Sequence, residues 1–189
     1  MNTVIEYPMT KREKVKLVNR LRKTKRNFKE SSDFQEFLID CYLFLGPSAY
    51  GSRIEKRWIK EMGYKKMSTY NRGDYMDGDE YVEFKASYES FDRYTFLHIR
   101  PHEDVDRYDL FTVDKKFKHN VYSIPKEKIG DFIYNKKLLS GVCNGTSEAN
   151  ENNQTVEYRF TIKKNQLELL EPYLTTGKKM KKTYEKFWK

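Results

Sequence analysis

The sequence predicts an α/β fold of the mixed α+β kind, and three observations point there. Apolar residues recur at helical spacing through the first third of the chain. Short aromatic and β-branched runs bounded by turn residues then succeed one another from Tyr64 to Val113. A helical pattern returns at Lys126 and a last strand pattern at Val156. The 189 residues are 15% aromatic and 34% charged. That is the composition of a folded chain with a substantial core, not of a disordered one.

Taken in order, residues 10–29 read as a basic amphipathic helix. Val15, Val18 and Leu21 form a narrow stripe among Lys11, Lys14, Arg22, Lys25 and Arg26. Ser31-Ser32-Asp33 offers an N-cap to a second helix, Asp33 to about Leu45, and Ser32 with Gln35 has capping-box spacing. That helix is apolar almost all round, so burial is expected, and Gly46-Pro47 stops it. A third helix is expected from about Tyr50 to Met62, with Ile54, Trp58 and Met62 as its stripe and Gly63 as its C-cap. Strands follow at Tyr64 to about Asn71, Glu80–Ser87, Tyr94–Arg100 and Leu110–Val113, with another at Asn120–Ile124. Lys126–Leu139 reads as a helix, residues 144–154 as a polar loop and Val156–Ile162 as a strand. Leu167–Leu174 reads as a short helix broken at Pro172.

Composition narrows the function classes. No apolar run is long enough for a membrane span, and no signal-peptide core is present at the N-terminus. Cys41 and Cys143 lack CxxC spacing, so neither a disulfide framework nor a zinc site is expected, and a reducing cytoplasm fits. The net charge of +9 is uneven. Residues 1–30 carry ten Lys/Arg against three Glu, and residues 178–189 carry six Lys against one Glu. Lys11 and Arg12 at one end, and Lys178, Lys179, Lys181 and Lys182 at the other, are thus candidates to grip a polyanion backbone. Solvated basic tails are the alternative. Serine-hydrolase order, P-loop and Rossmann fingerprints are lacking. Asp77-Gly78-Asp79-Glu80 is no calcium loop, because aligning Gly78 puts Gly73 and Tyr75 where Asp or Asn belongs. Glu103-Asp104-x-Asp106 has the spacing of a solvated turn or helix face.

The chemistry concentrates in Gly73-Asp74, eight residues, then Glu83-Phe84-Lys85. Glu83 and Lys85 sit two apart in a strand run and so share a face. Asp77-Gly78 signals a hairpin that folds Asp74 back towards Glu83. Converging carboxylates bind a hard divalent cation, and a lysine beside them acts on water or phosphate. The competing reading puts the Glu83/Lys85 pair on the solvent face of an edge strand.

This pattern resembles the PD-(D/E)xK nuclease superfamily, which includes most type II restriction endonucleases. Gly73 stands where the family pattern has Pro. The resemblance covers residues about 50 to 115 in some detail. It implies a restriction-endonuclease-like core: a central mixed sheet of four to five strands flanked by helices, here with extra N-terminal helices. It implies a single nuclease domain over 1–189, with N-terminal helices to 47, a catalytic core over 48–115, and strands, helix and basic tail over 116–189. It further implies Mg²⁺, one or two ions, held by Asp74, Glu83 and the Phe84 backbone carbonyl, with Lys85 beside the attacking water. A Glu on the preceding helix often completes such a site, which makes Glu55 a candidate; but Ser52-x-x-Glu55 is also a capping-box spacing. His98 and Arg100 alternate onto one face of the next strand and are candidates to contact phosphate. An interior hydrogen-bonded histidine is the other reading of His98.

The expected activity is Mg²⁺-dependent cleavage of double-stranded DNA. The modest length is similar to the small cleavage subunit of heterodimeric type IIS restriction enzymes, working with a larger DNA-recognising subunit. A self-sufficient homodimeric endonuclease and a non-catalytic nucleic-acid-binding protein are the alternatives.

Overall fold

A computed structural model describes residues 31–67, 72–100, 103–134, 139–144 and 157–175. The expected basic helix over 10–29, with Lys11 and Arg12, lies outside the described residues, as do Lys178, Lys179, Lys181 and Lys182. The chain divides into two compact units, Met1–Tyr50 and Gly51–Lys189.

In the first unit, helix α1 spans Phe34–Phe44. Its N-cap is Asp33, whose side chain accepts from the Glu36 N–H at 2.8 Å. Ser31 Oγ in turn donates to Glu36 Oε2. The cap is thus one residue later than the Ser32/Gln35 spacing suggests, because the carboxylate is the stronger acceptor for the amide of the first turn. Phe37, Leu38 and Cys41 are fully buried, whereas Tyr42 is 44% exposed, so the helix is buried along a face and not all round.

Helix α2 runs Pro47–Met62, three residues longer at its start than the periodicity suggests. Pro47 does not stop a helix here; it starts one, since its fixed φ suits the first turn and its missing N–H is not needed there. Ser52 and Glu55 are therefore interior helical residues, and the capping-box reading of Glu55 fails.

The second unit holds a mixed five-stranded sheet in the order β1-β2-β3-β5-β6. Its strands are β1 (Lys65–Lys66), β2 (Tyr75–Asp77), β3 (Glu80–Tyr88), β5 (Arg107–Val113) and β6 (His119–Pro125). Only β3 and β5 are parallel, with Glu83 opposite Tyr108 and Lys85 opposite Leu110. Every residue of β5 is buried, as befits an interior strand covered on both faces. The connection from β3 to β5 is not confined to the central sheet. Strand β4 (Arg93–Ile99) crosses into a second, antiparallel sheet of order β4-β8-β7, with β7 at Leu139–Asn144 and β8 at Glu157–Lys163. Helix α3 covers Lys126–Tyr134 and a 3₁₀ helix covers Lys164–Tyr173, with Pro172 inside it. Leu139, read from sequence as the end of a helix, instead opens β7.

The two faces of the central sheet are covered differently. On one face, Trp58 of α2 packs edge-on against Phe111 at 5.6 Å, and His119 stacks on Phe111 at 5.0 Å. On the other, Tyr108, Leu110, Tyr122 and Ile124 join Phe96, Ile99, Phe160 and Ile162 of the second sheet and Ile129 of α3 in one apolar core. Among the described residues no helix is long and apolar enough to cross a membrane.

Candidate active site

The hairpin forms as its turn residues dictate. Strand β2 pairs antiparallel with β3, Asp77 opposite Glu80, around Gly78-Asp79, with Gly78 at φ +65°. Just before β2 the chain is pressed against β3. The Asp74 N–H donates to the Val82 carbonyl at 2.8 Å, and Asp74 Oδ2 accepts from the Phe84 N–H at 2.8 Å. Asp74 is thereby fixed at the backbone of Glu83-Phe84-Lys85.

Gly73 has a structural reason to be glycine. It adopts φ +71°, which proline cannot reach, and a Cβ there would lie 2.5 Å from the Val82 carbonyl oxygen. The close approach that seats Asp74 requires glycine.

Glu83 and Lys85 do not lie on an edge strand, since β3 is paired on both sides, with β2 and β5. Val82 and Phe84 point to the opposite, buried face. Glu83 is only 7% exposed, and its Oε1 accepts from Lys85 Nζ. Burial pushes the Glu83 carboxyl up to about 7; Lys85 opposes that rise, and Asp74 and Glu103 add to it. Burial works against the charge on Lys85, but Glu83, Asp74 and Glu103 outweigh it and hold its ammonium above the usual lysine range.

Glu55 projects from α2 towards the same group. Lys66 Nζ of β1 reaches its Oε1 at 3.3 Å. Burial first, then the field of Asp74, raises its carboxyl above the usual range, while Lys66 and Lys85 pull it down. The structure thus brings Asp74, Glu83 and Lys85 together and sets Glu55 within their field.

His98 and Arg100 meet a different fate. A bulge between Phe96 and Ile99 breaks the alternation of β4, and His98 takes φ +59°. Arg100 lies beyond the strand's end. Both turn to Glu157 of β8: His98 Nδ1 lies 2.6 Å from its Oε2, and Arg100 Nε donates to its Oε1 at 2.7 Å, with Nη2 on the same oxygen. The His98 side chain is 47% exposed, so it is hydrogen-bonded but not interior. Arg100 is held charged, against burial, by Glu157, Glu103 and Glu83, so it borders the site while engaged elsewhere.

Glu103 is the residue that sequence reasoning misplaced. Its side chain is 8% exposed, not solvated. Arg100 Nη1 lies 3.4 Å from its Oε1, and Tyr108 Oη, beside Glu83 in the register, lies 3.4 Å from its Oε2. Asp106 is structural: its Oδ2 accepts from the Tyr81 N–H at 2.7 Å, tying the start of β3 to the start of β5. Asp104, at 73% exposure, and Asp106 are both exposed, as their spacing suggests, and of the three only Glu103 turns inward. No local pattern signals these roles, because Glu103 is turned inward by Tyr108 and Arg100, and Arg100 by a carboxylate 57 residues away.

Among the described residues no three His, Cys, Asp or Glu side chains already close round one point as metal ligands do. The chemistry of the donor set nevertheless suits a hard cation. Asp74, Glu83 and Glu55 are oxygen donors; burial first, and then the field of Asp74, raises the Glu83 and Glu55 carboxyls, and a divalent ion would offset both. A scan against protein-family models finds no match, and neither does a search of curated proteins.

Proposed function

We propose that this chain is a Mg²⁺-dependent endonuclease with a restriction-endonuclease-like core, hydrolysing phosphodiester bonds of double-stranded DNA. The observation that carries this reading is the hairpin that seats Asp74 on the backbone of Glu83-Phe84-Lys85, with Glu55 in its field. Asp74 and Glu83 would hold the metal, with the Phe84 carbonyl and Glu55 as further oxygen donors. When bound, magnesium supplies charge relief on the phosphate and a more acidic water. Lys85 stands beside Glu83 as a largely buried cation, where its charge would act strongly on a developing phosphorane. Lys85, held beside Glu83, would direct its ammonium at the phosphate oxygens and the attacking water. One such centre serves one strand, so the finer form of the proposal makes this chain the cleaving subunit beside a larger DNA-reading partner.

The test is cleavage of plasmid DNA with Mg²⁺ by wild type and Lys85→Met. Methionine keeps the stem packed, and Glu83 then neutralises by taking a proton. The expected loss is about 100-fold or more in rate, with duplex binding in metal-free buffer retained. A Lys85→Met protein that cuts as fast as wild type would remove this site assignment.

A further inference from the structure

We propose that the outer face of the second sheet binds the stretch of double-stranded DNA that flanks the cleaved bond, holding its phosphate backbone on Arg93, Arg159 and Lys163. The choice of duplex rests on the nuclease reading, but the face shares no residue with the Asp74–Glu83–Lys85 group. Strand β8 alternates regularly. Phe160 and Ile162 are buried in the apolar core, so Glu157, Arg159, Thr161 and Lys163 share the other face. Strand β4 pairs with β8 so that Arg93 lies opposite Lys163 and Thr95 opposite Thr161. Arg93, Arg159 and Lys163 are exposed. The row begins at the rim of the candidate site, because Glu157 holds Arg100 and Arg100 lies in the field of Glu83. It ends at Lys163, about 20 Å further along the strand.

The charges along this row say what it would meet. Arg57, Arg72, Arg100 and Arg107 each reach a carboxylate. Lys115 and Lys164, near the far end of the row, are both committed to the buried Glu89, each at 3.2 Å. Arg93, Arg159 and Lys163 meet no carboxylate among the described residues. Glu157, the one carboxylate in the row, is taken by Arg100 and His98. Arg93 and Lys163 are direct cross-strand partners of like charge, an arrangement that is unfavourable by itself and favourable once an anion joins it. Arg159 stands about 13 Å from Lys163 along β8, far enough for the two to meet different phosphates. Between them lie Thr95 and Thr161, their hydroxyl oxygens 3.3 Å apart, short side chains over which a backbone can lie close. Arginine and lysine are the usual partners of phosphate, whereas lysine is depleted in protein–protein interfaces, so the row fits a phosphate backbone better than an acidic protein.

The test measures anisotropy of a fluorescein-labelled duplex with the full chain in metal-free buffer, over a series of salt concentrations. The face variant combines Arg93→Gln, Arg159→Gln and Lys163→Gln, exposed positions where glutamine keeps a polar side chain, and its urea midpoint shows that the fold is kept. A control of equal charge combines Lys56→Gln, Lys118→Gln and Lys128→Gln, all exposed and off this face. The face variant is expected to bind about ten-fold more weakly and to lower the slope of log affinity against log salt by about two to three. The control is expected to lower it by less than half as much. An unchanged slope in the face variant, or an equal fall in the control, would overturn the proposal. So would polyglutamate that binds wild type more tightly than the duplex and loses that advantage on the face variant, since the partner would then be an acidic protein. Cleavage by Lys85→Met tests the nuclease reading separately. A face variant with wild-type binding beside a Lys85→Met protein that no longer cuts would strike the face and leave that reading standing.

Discussion

Two single residues show how closely this chain is fitted around its polar chemistry. Gly73 admits Asp74 to the β3 backbone only because it has no Cβ and a φ of +71°. Gly73→Ala must either push the chain off Val82 or strain it. A loss of more than about 2 kcal/mol in denaturant unfolding is expected, and with it a loss of cleavage larger than the stability change explains. A Gly73→Ala protein as stable and active as wild type would show that the close approach is dispensable. His119 is the other case. Stacked on Phe111 and edge-on to Trp58, it is buried enough that its imidazole falls from 6.5 to about 4. Between those values the unfolded chain takes up a proton that the folded one refuses, so stability falls as the pH drops through that window. The full effect is about 3 kcal/mol. His119→Phe keeps the ring stack and abolishes the titration. Its stability should therefore lose less than that of wild type between pH 7 and pH 4, and parallel curves would mean that His119 is not the group responsible.

At the scale of elements, the β2–β3 hairpin and β5 are locked by a polar network on the face away from Lys85. Arg107 reaches Asp77 at 2.8 Å, Asp109 at 3.1 Å, and Glu80. Asp109, only 2% exposed, also accepts from Tyr75 Oη, and Tyr75 stacks on Tyr64 at 4.7 Å. Its carboxylate partners hold Arg107 charged in spite of its burial. Arg107→Met leaves those carboxylates without a counter-charge and should destabilise by about 3–5 kcal/mol. Adding Asp109→Asn should recover part of that loss, and a double-mutant cycle without coupling would show the pair to be energetically separate. This hairpin was legible in the sequence because its turn dipeptide and the two half-motifs are local, although the Arg107 network that locks it is not. The assignment of β4 to a second sheet was not legible, because its partner β8 lies some sixty residues later, with Thr95 opposite Thr161. Strand β7 carries Gly141 and little alternation, and it sits at a sheet edge, where pattern is weakest. The start of α2 was misread because proline ends helices from within but begins them at the first turn. Glu103 escaped because the inward turn of a charged side chain depends on tertiary partners, which spacing alone does not encode.

For the molecule as a whole, the proposed chemistry sets a requirement for a second centre. The sequence contains one Asp-x(8)-Glu-x-Lys pattern, and a double-strand break needs two cleavages. The isolated chain is expected to be monomeric and to nick or leave plasmid DNA uncut, and a larger DNA-reading subunit to switch on cutting of both strands at one site. Sedimentation with a cleavage assay on the pure chain decides this: a stable homodimer that cuts both strands at a short sequence unaided would refute the partner and favour the self-sufficient enzyme. The two contacts that frame the site also differ in what it takes to close them. Asp74 meets the Phe84 N–H across ten positions of chain, whereas Arg100 meets Glu157 across 57. By loop-closure entropy alone the longer contact is harder to form by about 1.5 kcal/mol. The carboxylates that would bind metal are therefore assembled by a short piece of chain that can find its shape early. The Arg100–Glu157 clasp waits for most of the chain to be in place, and by that same entropy it is the easier of the two to lose, leaving the guanidinium to Glu103 alone while the carboxylates stay seated.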